Sequence, residues 1–181
     1  AVASILAQRR VVAEILISDD GSTDGTFQVV QQAVARCLAA SPVPHRILLR
    51  RGTARLHRDH VPLLIDKAGC NLVVQAHGDD LFNPLRLAAI VLAFQGLPNA
   101  VLLASQFEKF SDDGSALREW ENIPLPIPVA DYSPEAVVTG TDPHLIGCTQ
   151  AWRKDVVAKF GRLDMSVAAT SHDRILPFRA L

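Results

Sequence analysis

Two carboxylates directly follow an apolar run near the start of the chain, within the segment EILISDDGSTDGT (residues 14–26). The apolar run predicts a short buried strand, the glycine, serine and threonine residues predict a turn, and a helical pattern follows. Open α/β sheets bind their ligands at the carboxyl ends of the strands. Asp19 and Asp20 would lie at such a strand end, where carboxylates can accept hydrogen bonds from a nucleotide base or ribose, or can hold a metal ion.

The sequence DDGS occurs a second time, at a place where nothing points to a binding or catalytic site. A second copy, SDDGS at residues 111–115, follows Phe110 and predicts a hairpin or loop turn. The first copy could likewise be a solvated turn. A calcium-binding loop starting at Asp20 is excluded, because its twelfth position is Gln31 and not the bidentate glutamate that such a loop needs.

A second acidic pair follows a second apolar run. Residues 72–76 (LVVQA) predict a buried strand, His77-Gly-Asp-Asp80 comes next, and a helix is predicted over 85–95. Carboxylate oxygens at a strand end suit a hard divalent ion that also binds substrate phosphate. Asp79 and Asp80 are therefore candidate metal ligands. The alternative is an aspartate pair that caps the helix, with a histidine bonded to backbone.

The elements that must position these acids alternate along the chain. Apolar runs separated by helical patterns imply a mostly parallel α/β sheet flanked by helices. Parallel strands end at one edge of a sheet, so we expect the two acid pairs to converge on one crevice. The predicted strands cover residues 14–18, 46–50, 72–76 and 100–105, and the main predicted helices cover 26–40, 54–68 and 85–95.

Composition favours one compact domain and argues against several classes of protein. The chain has 181 residues, of which 49% are hydrophobic, and a formal net charge of −1, so nothing points to nucleic acid. The three cysteines are isolated, lack metal-site spacing and fit a reducing compartment. No apolar stretch can span a bilayer, and no signal-peptide pattern is present.

The first segment closely resembles the signature of family-two glycosyltransferases, inverting nucleotide-sugar enzymes with the GT-A fold, in which a strand ends in Asp-Asp-Gly-Ser-Thr-Asp. His77-Gly-Asp-Asp80 resembles the family's Asp-x-Asp-Asp motif, with histidine at the first position. The resemblance implies a GT-A (Rossmann-like) sheet and a Mn²⁺ or Mg²⁺ cofactor held by Asp79 and Asp80. Imidazole suits manganese better than magnesium, so His77 could retune the metal, or could instead contact ribose or phosphate. The implied nucleotide-sugar-binding residues are Asp19, Asp20, Ser22, Asp79 and His77.

A third motif, near the end of the chain, resembles the family's Glu-Asp pair. In TSHDRILPFR (residues 170–179), Asp173 takes the position of the general base that deprotonates the acceptor hydroxyl, and His172 replaces the glutamate. His172 could itself be the base, or could tune the basicity of Asp173. The alternative makes Asp173 an N-cap of a helix starting at Arg174, which Pro177 would keep short.

Aromatic and histidine residues elsewhere are further candidates. Trp120 and Trp152 could stack on a sugar, although an isolated tryptophan is more often part of a core. His57 and His60 lack the spacing and the glutamate of a zinc protease, and we expect them on the surface.

The resemblance covers nearly the whole chain and implies a glycosyltransferase of the hexosyltransferase type, acting in polysaccharide biosynthesis. The expected partners are a nucleotide-diphosphate sugar, with UDP as the nucleotide, and a glycan or lipid-linked acceptor. We expect residues 1–181 to be one nucleotide-sugar-binding domain, truncated at both ends, that is cytoplasmic or peripheral at the inner membrane face. The alternatives are a degenerate, non-catalytic sugar- or nucleotide-binding domain and a nucleotidyltransferase, whose Gly-rich basic phosphate loop is not found in this sequence.

Overall fold

Helices and strands alternate through the parts of the chain that the computed structural model describes, which are residues 1–52, 60–115, 133–139, 145–161 and 172–180. This alternation confirms the predicted α/β class. No helix in these ranges is both long and apolar enough to cross a membrane. In chain order the elements are α1 (Val2–Leu6), β1 (Glu14–Asp19), α2 (Thr26–Ala39), β2 (Arg46–Arg51), α3 (His60–Lys67), β3 (Leu72–Val74), α4 (Arg86–Gly96), β4 (Leu102–Ala104), α5 (Pro134–Thr139), β5 (Gln150–Arg153), α6 (Asp155–Ala158) and α7 (His172–Ala180).

The first sheet pairs β1 with β2 in parallel. The register runs from Glu14 opposite Arg46 to Asp19 opposite Arg51, and α2 is the connection between the two strands. Parallel neighbours require a crossover of this kind. Both strands therefore end at the same edge, where the acidic Asp19 lies beside the basic Arg51.

The second sheet is antiparallel, with the strand order β3-β5-β4. Val73 on β3 and Leu102 on β4 both lie opposite Trp152 on β5. Because β3 and β4 are each antiparallel to β5, they run in the same direction, as strands joined through a helix are expected to do. The alternating pattern suggested that β3 and β4 pair directly in parallel. Instead, β5, from much later in the chain, lies between them.

β5 is buried on both faces because helices pack against it from each side. Side chains alternate across a strand, so Trp152 and Ala151, each 1% exposed, enter different clusters. Trp152 is therefore a core residue, and the sugar-stacking role considered for it is wrong, whereas Trp120 lies outside the described residues. The cluster around Trp152 contains Ile65, Val156 and Leu176, and the cluster around Ala151 contains Ile90 and Phe94.

The segment that begins with α1 holds the loop between β3 and α4. The fully buried side chain of Gln8 donates from Nε2 to the carbonyl oxygen of Asn83 (2.7 Å), and its Oε1 accepts from the backbone N–H of Leu87 (3.0 Å). Ser4 Oγ accepts from the backbone N–H of Phe82 (3.0 Å). The loop that follows the second acidic pair is thus fixed at both of its ends by side chains from the start of the chain.

Replacing Gln8 with methionine, which has a similar size but no hydrogen-bond donor, should destabilise the fold. The backbone groups of Asn83 and Leu87 would lose their buried partner, at a cost of about 1–3 kcal/mol in the free energy of unfolding. Urea unfolding followed by circular dichroism measures this change. Gln32→Met, at an exposed position of α2, is the matched control and should cost less than about 0.5 kcal/mol. Equal effects of the two substitutions would contradict the role of Gln8.

Candidate functional site

The carboxylate of Asp19 closes the turn that follows β1. Its Oδ1 accepts hydrogen bonds from the backbone N–H groups of Gly21 (3.1 Å) and Ser22 (3.0 Å), and Gly21 adopts a φ of 82°, which glycine takes without strain. The hydrogen bond from the Ser22 side chain is the largest influence on the pKa of Asp19, which is lowered; burial opposes this shift and the charge of Arg51 adds to it. Asp19 is therefore ionised, and one of its oxygens is used to build the loop.

The second carboxylate of this motif, Asp20, pairs with a histidine from another element. Nε2 of His60, at the beginning of α3, lies 2.7 Å from Oδ1 of Asp20, and the two residues are 40 positions apart. The side chain of His60 is only 16% exposed. The expectation that His60 is a surface histidine is therefore wrong, because the fold places it against the first acidic loop; His57 lies outside the described residues.

The two copies of the DDGS sequence close their turns with different carboxylates. In the second copy the second aspartate, Asp113, accepts from the backbone N–H of Ser115 (2.9 Å) and from the hydroxyl of Ser111. The hydrogen bond from Ser111 is the main reason why the pKa of Asp113 falls to about 2. This copy forms the predicted turn. In the first copy the first aspartate closes the turn, which leaves the second aspartate to contact α3.

Basic side chains lie at the same edge of the first sheet. Arg51 donates from Nη2 to the carbonyl oxygen of Ser22 (3.1 Å), and its guanidinium carbon lies 5.4 Å from the ring centroid of Phe27. Arg50 donates from Nη1 to Ser18 Oγ (3.4 Å). Because Arg51 is solvent-exposed, the end of β2 places a cation beside the first acidic loop, where a phosphate group could reach it.

Three side chains from two segments meet beyond the end of β3. Ligand atoms of His77, Asp80 and Cys148 all lie within 4.8 Å of one another. Nδ1 of His77 is 3.8 Å from Oδ2 of Asp80, and this oxygen is buried with no hydrogen-bond partner among the described residues. Asp79 is exposed and does not belong to this group. Of the two predicted metal ligands, the structure thus brings Asp80 together with His77.

Cys148 is a site residue that the sequence did not reveal, because an isolated cysteine outside a spaced motif looks like a small apolar residue. It lies in a single 3₁₀ turn, Gly147–Thr149, just before β5. Its carbonyl oxygen accepts from Nη2 of Arg86 (2.6 Å). Burial, and after it the neighbouring carboxylate of Asp80, raise the pKa of the Cys148 thiol to about 11. The thiol is therefore protonated at neutral pH when no cation is bound.

The guanidinium of Arg86 adds positive charge beside this cluster. It lies over the ring of Phe82, 4.0 Å from the ring centroid. Burial lowers the pKa of Arg86, and its neighbours Cys148 and Asp80 oppose that shift. A cationic side chain stacked on an aromatic ring and bonded to a backbone carbonyl holds the Cys148 turn against α4.

The cluster fits a divalent cation. An ion with tetrahedral geometry and bonds of about 2.0–2.3 Å separates its ligand atoms by roughly 3.3–3.8 Å. The 3.8 Å between His77 Nδ1 and Asp80 Oδ2 is compatible with this separation. A cation would also satisfy the buried Oδ2 of Asp80, which makes no hydrogen bond within the described part of the chain.

The two candidate base residues lie in the first turn of α7, and their side chains are outside what the structure describes. Because the helix already includes His172 and Asp173, the alternative in which Asp173 caps a helix starting at Arg174 is wrong. Pro177 lies inside this nine-residue helix. The role of Asp173 as a base stays a prediction, as does the convergence of the two acid pairs on one crevice.

Comparison with known proteins agrees with the resemblance seen in the sequence. The family described as Glycosyl transferase family 2 matches residues 1–161, a range that includes both acidic loops and Cys148. The comparison with curated proteins finds no match. The family match is consistent with a GT-A, Rossmann-like arrangement of the two sheets and confirms the predicted fold class. It ends before α7.

Asp19→Ala should lower the free energy of unfolding by about 1 kcal/mol more than Asp19→Asn does, because an asparagine oxygen can still accept both turn hydrogen bonds. The folded-state pKa of Asp19 lies below its usual 3.8. The stabilisation from its charge is therefore present above about pH 4 and is lost as the pH falls through the folded-state value. Urea unfolding at neutral and acid pH measures both effects.

Asp112→Asn, in the other DDGS copy, is the control for this pair, since Asp112 is exposed and its neighbour closes that turn. It should change the free energy of unfolding by less than about 0.5 kcal/mol. If Asp19→Ala and Asp19→Asn were equally stable, the carboxylate of Asp19 would not be the group that closes the turn.

Proposed function

The chain belongs to glycosyl transferase family 2, and from this premise we propose that it is an inverting hexosyltransferase that moves a sugar from a UDP-sugar to a glycan or lipid-linked acceptor. Glycosyltransferase activity in general follows from the family. The observation that supports the more specific proposal is the meeting of His77, Asp80 and Cys148 beyond the end of β3, where the buried Oδ2 of Asp80 lies 3.8 Å from Nδ1 of His77. A sugar diphosphate brings a charged group for which such a site, once it holds a cation, is suited.

On the donor side we assign nucleotide contacts to the first acidic loop. Asp20 is held by His60 and not by the turn itself, so it is the better placed of the two aspartates to accept from a base N–H or a ribose hydroxyl. Asp19 builds the loop and thereby positions Ser22. The exposed guanidinium of Arg51 would meet the diphosphate.

The second acidic loop would hold the divalent cation that family-two enzymes of the GT-A type commonly use, through Asp80 and His77. When bound, that cation supplies Lewis-acid stabilisation of the departing nucleoside diphosphate. Asp79 is exposed beside the cluster, and we assign it hydrogen bonds from the hydroxyls of the donor.

The acceptor hydroxyl needs a single base, for which we propose Asp173 with His172 beside it. In a direct displacement the acceptor oxygen forms a bond to the anomeric carbon while the bond from that carbon to the diphosphate oxygen breaks. The proton of the hydroxyl passes to the base, and the nucleoside diphosphate leaves with the electron pair. We place this reaction in polysaccharide biosynthesis at the cytoplasmic face of a membrane.

A non-catalytic nucleotide- or sugar-binding domain is the second candidate. It is favoured by His77 and His172, which stand where the family motifs have acids. Such a domain would bind the nucleotide without turning over the sugar, so binding and turnover have to be measured separately.

Binding of UDP to the full chain should depend on a divalent cation. Calorimetry with Mn²⁺ is expected to show tighter binding than calorimetry with a chelator, because a cation held by Asp80 and His77 would stabilise the charge of the diphosphate. Asp80→Asn should remove the difference between the two conditions. Asp79→Asn should weaken binding but keep that difference, and Asp112→Asn, far along the chain in the other DDGS copy, should change neither. Equal affinity of the unmodified protein with chelator and with Mn²⁺ would refute the proposal.

Asp173→Asn should lower turnover by a factor on the order of a hundred to ten thousand, because it removes a positioned base. UDP binding should be nearly unchanged, since the base acts on the acceptor. Release of UDP from a panel of UDP-hexoses in the presence of acceptor glycans measures turnover.

His172→Ala is the companion variant for this experiment. Loss of turnover in His172→Ala with normal turnover in Asp173→Asn would move the base to His172. If the unmodified protein binds UDP but shows no turnover, and neither substitution changes UDP binding, the non-catalytic domain would be favoured.

A further inference from the structure

The thiol of Cys148 lies in the proposed cation site. A Mg²⁺ or Mn²⁺ ion bound through carboxylate, water and phosphate oxygens does not need a sulfur ligand. Mg²⁺ and Mn²⁺ prefer oxygen ligands, whereas thiolate and imidazole favour softer ions such as Zn²⁺. Here one nitrogen, one oxygen and one sulfur ligand lie within 4.8 Å of one another. This donor set is not the one that an oxygen-liganded magnesium or manganese site presents.

Strand pairing holds the two segments of the cluster against each other. The end of β3 runs antiparallel to the start of β5, with Val74 opposite Ala151. The backbone N–H of Gln75 donates to the carbonyl oxygen of Gln150 (3.1 Å). The turn that contains Cys148 precedes β5 directly, so it faces the residues that follow β3. The sulfur is therefore placed beside His77 and Asp80 by a sheet and not by a free loop.

The buried side-chain amide of Gln75 contacts the imidazole of His77. The side-chain nitrogen of Gln75 lies 2.8 Å from Nε2 of His77, and Gln75 is 7% exposed. The direction of this hydrogen bond depends on the tautomer of His77 and on which way the amide is turned. With the amide oxygen facing a proton on Nε2, the lone pair of Nδ1 is free toward Asp80. Metal-binding histidines are oriented by a hydrogen bond of this kind at the second ring nitrogen.

The charges of the cluster are also suited to a divalent cation followed by an anion. A thiolate and the carboxylate of Asp80 would supply two negative charges, and the neighbouring guanidinium of Arg86 one positive charge. A bound divalent ion would leave the site with one net positive charge. Such a site attracts a phosphate group to the remaining ligand position.

We propose that His77, Asp80 and Cys148 form a three-ligand site for a borderline-soft divalent cation of the Zn²⁺ class, with a fourth position open to a phosphate oxygen. Three protein ligands and one open position are the usual arrangement of zinc in enzymes that bind substrate at the metal. The assignment of the fourth position to the donor diphosphate rests on the proposed function. The binding of the cation itself does not.

Cobalt(II) serves as a spectroscopic probe, because it replaces zinc in such sites and shows a near-ultraviolet sulfur-to-metal charge-transfer band when a thiolate binds it. Titration of the full chain with Co²⁺ should produce this band. The double variant Cys37→Ser, Cys70→Ser keeps Cys148 as the only cysteine of the three in the chain and should keep the band. No band in the unmodified protein, or loss of the band in the double variant, would overturn the proposal.

Cys148→Ser should remove the charge-transfer band while far-ultraviolet circular dichroism shows an unchanged fold. It should weaken Zn²⁺ binding by more than about tenfold, since even changes outside the metal's own ligands cost on the order of 10- to 100-fold. Mn²⁺ affinity should change much less, because manganese has little preference for sulfur. A parallel loss of Zn²⁺ and Mn²⁺ affinity would contradict a sulfur ligand. If Cys148→Ser does not fold, the double variant decides the question alone.

Addition of UDP to the cobalt-loaded protein tests the fourth position separately. Entry of a phosphate oxygen should change the visible cobalt absorption while the charge-transfer band stays. If the charge-transfer band forms but UDP leaves the visible absorption unchanged, the assignment of the fourth position to the nucleotide is wrong, whereas the cation site is supported.

Discussion

The position of β5 between two strands that precede it in the chain is the constraint on which the second sheet depends. Its two central side chains, Ala151 and Trp152, are each 1% exposed and pack into separate clusters on opposite faces. Its end is anchored by long side chains, since Arg153 donates from Nε to the carbonyl oxygen of Ala100 (3.0 Å) and Lys154 donates from Nζ to that of Ala68 (2.7 Å). Because this strand cannot shift by one residue without exchanging its two faces, the turn that precedes it has a fixed position. The sulfur of Cys148 reaches the acidic loop for that reason.

The sequence was sufficient for features that local patterns encode. Apolar runs and helical spacing identified the alternating elements, and the acidic pairs were correctly expected at the end of β1 and after β3. The two DDGS copies mark the limit of such reasoning, because the same five residues (SDDGS) form different turns. In one copy Asp19 accepts the turn hydrogen bonds, and in the other Asp113 does. The two turns differ in their surroundings: the first follows a strand and faces α3, whereas residues 112–115 of the second are exposed.

The contacts that give each acidic loop its character come from distant parts of the chain. His60 reaches Asp20 from α3, and Cys148 reaches Asp80 from the turn before β5. Neither His60 nor Cys148 lies in a recognisable sequence motif, so no local pattern could connect these residues to the aspartates. The insertion of β5 between β3 and β4 was also beyond the sequence pattern, since alternation shows which segments are strands but not which strands pair. Long-range pairing and side-chain contact are what the structure adds.

The attachment of α1 to the loop after the second acidic pair has a consequence for local stability. A five-residue helix is too short to persist alone in water, because the cost of starting a helix is recovered only over more turns. Its order therefore depends on contacts with the rest of the chain, which include the hydrogen bonds that Ser4 and Gln8 make with the loop, and these bonds order the loop in return. The two segments should open and close as one cooperative unit. The amide protons of Phe82 and Leu87 would then exchange with solvent at a common rate. The rate at which α1 opens would therefore set the lifetime of the ordered conformation of the loop that carries Asp79 and Asp80.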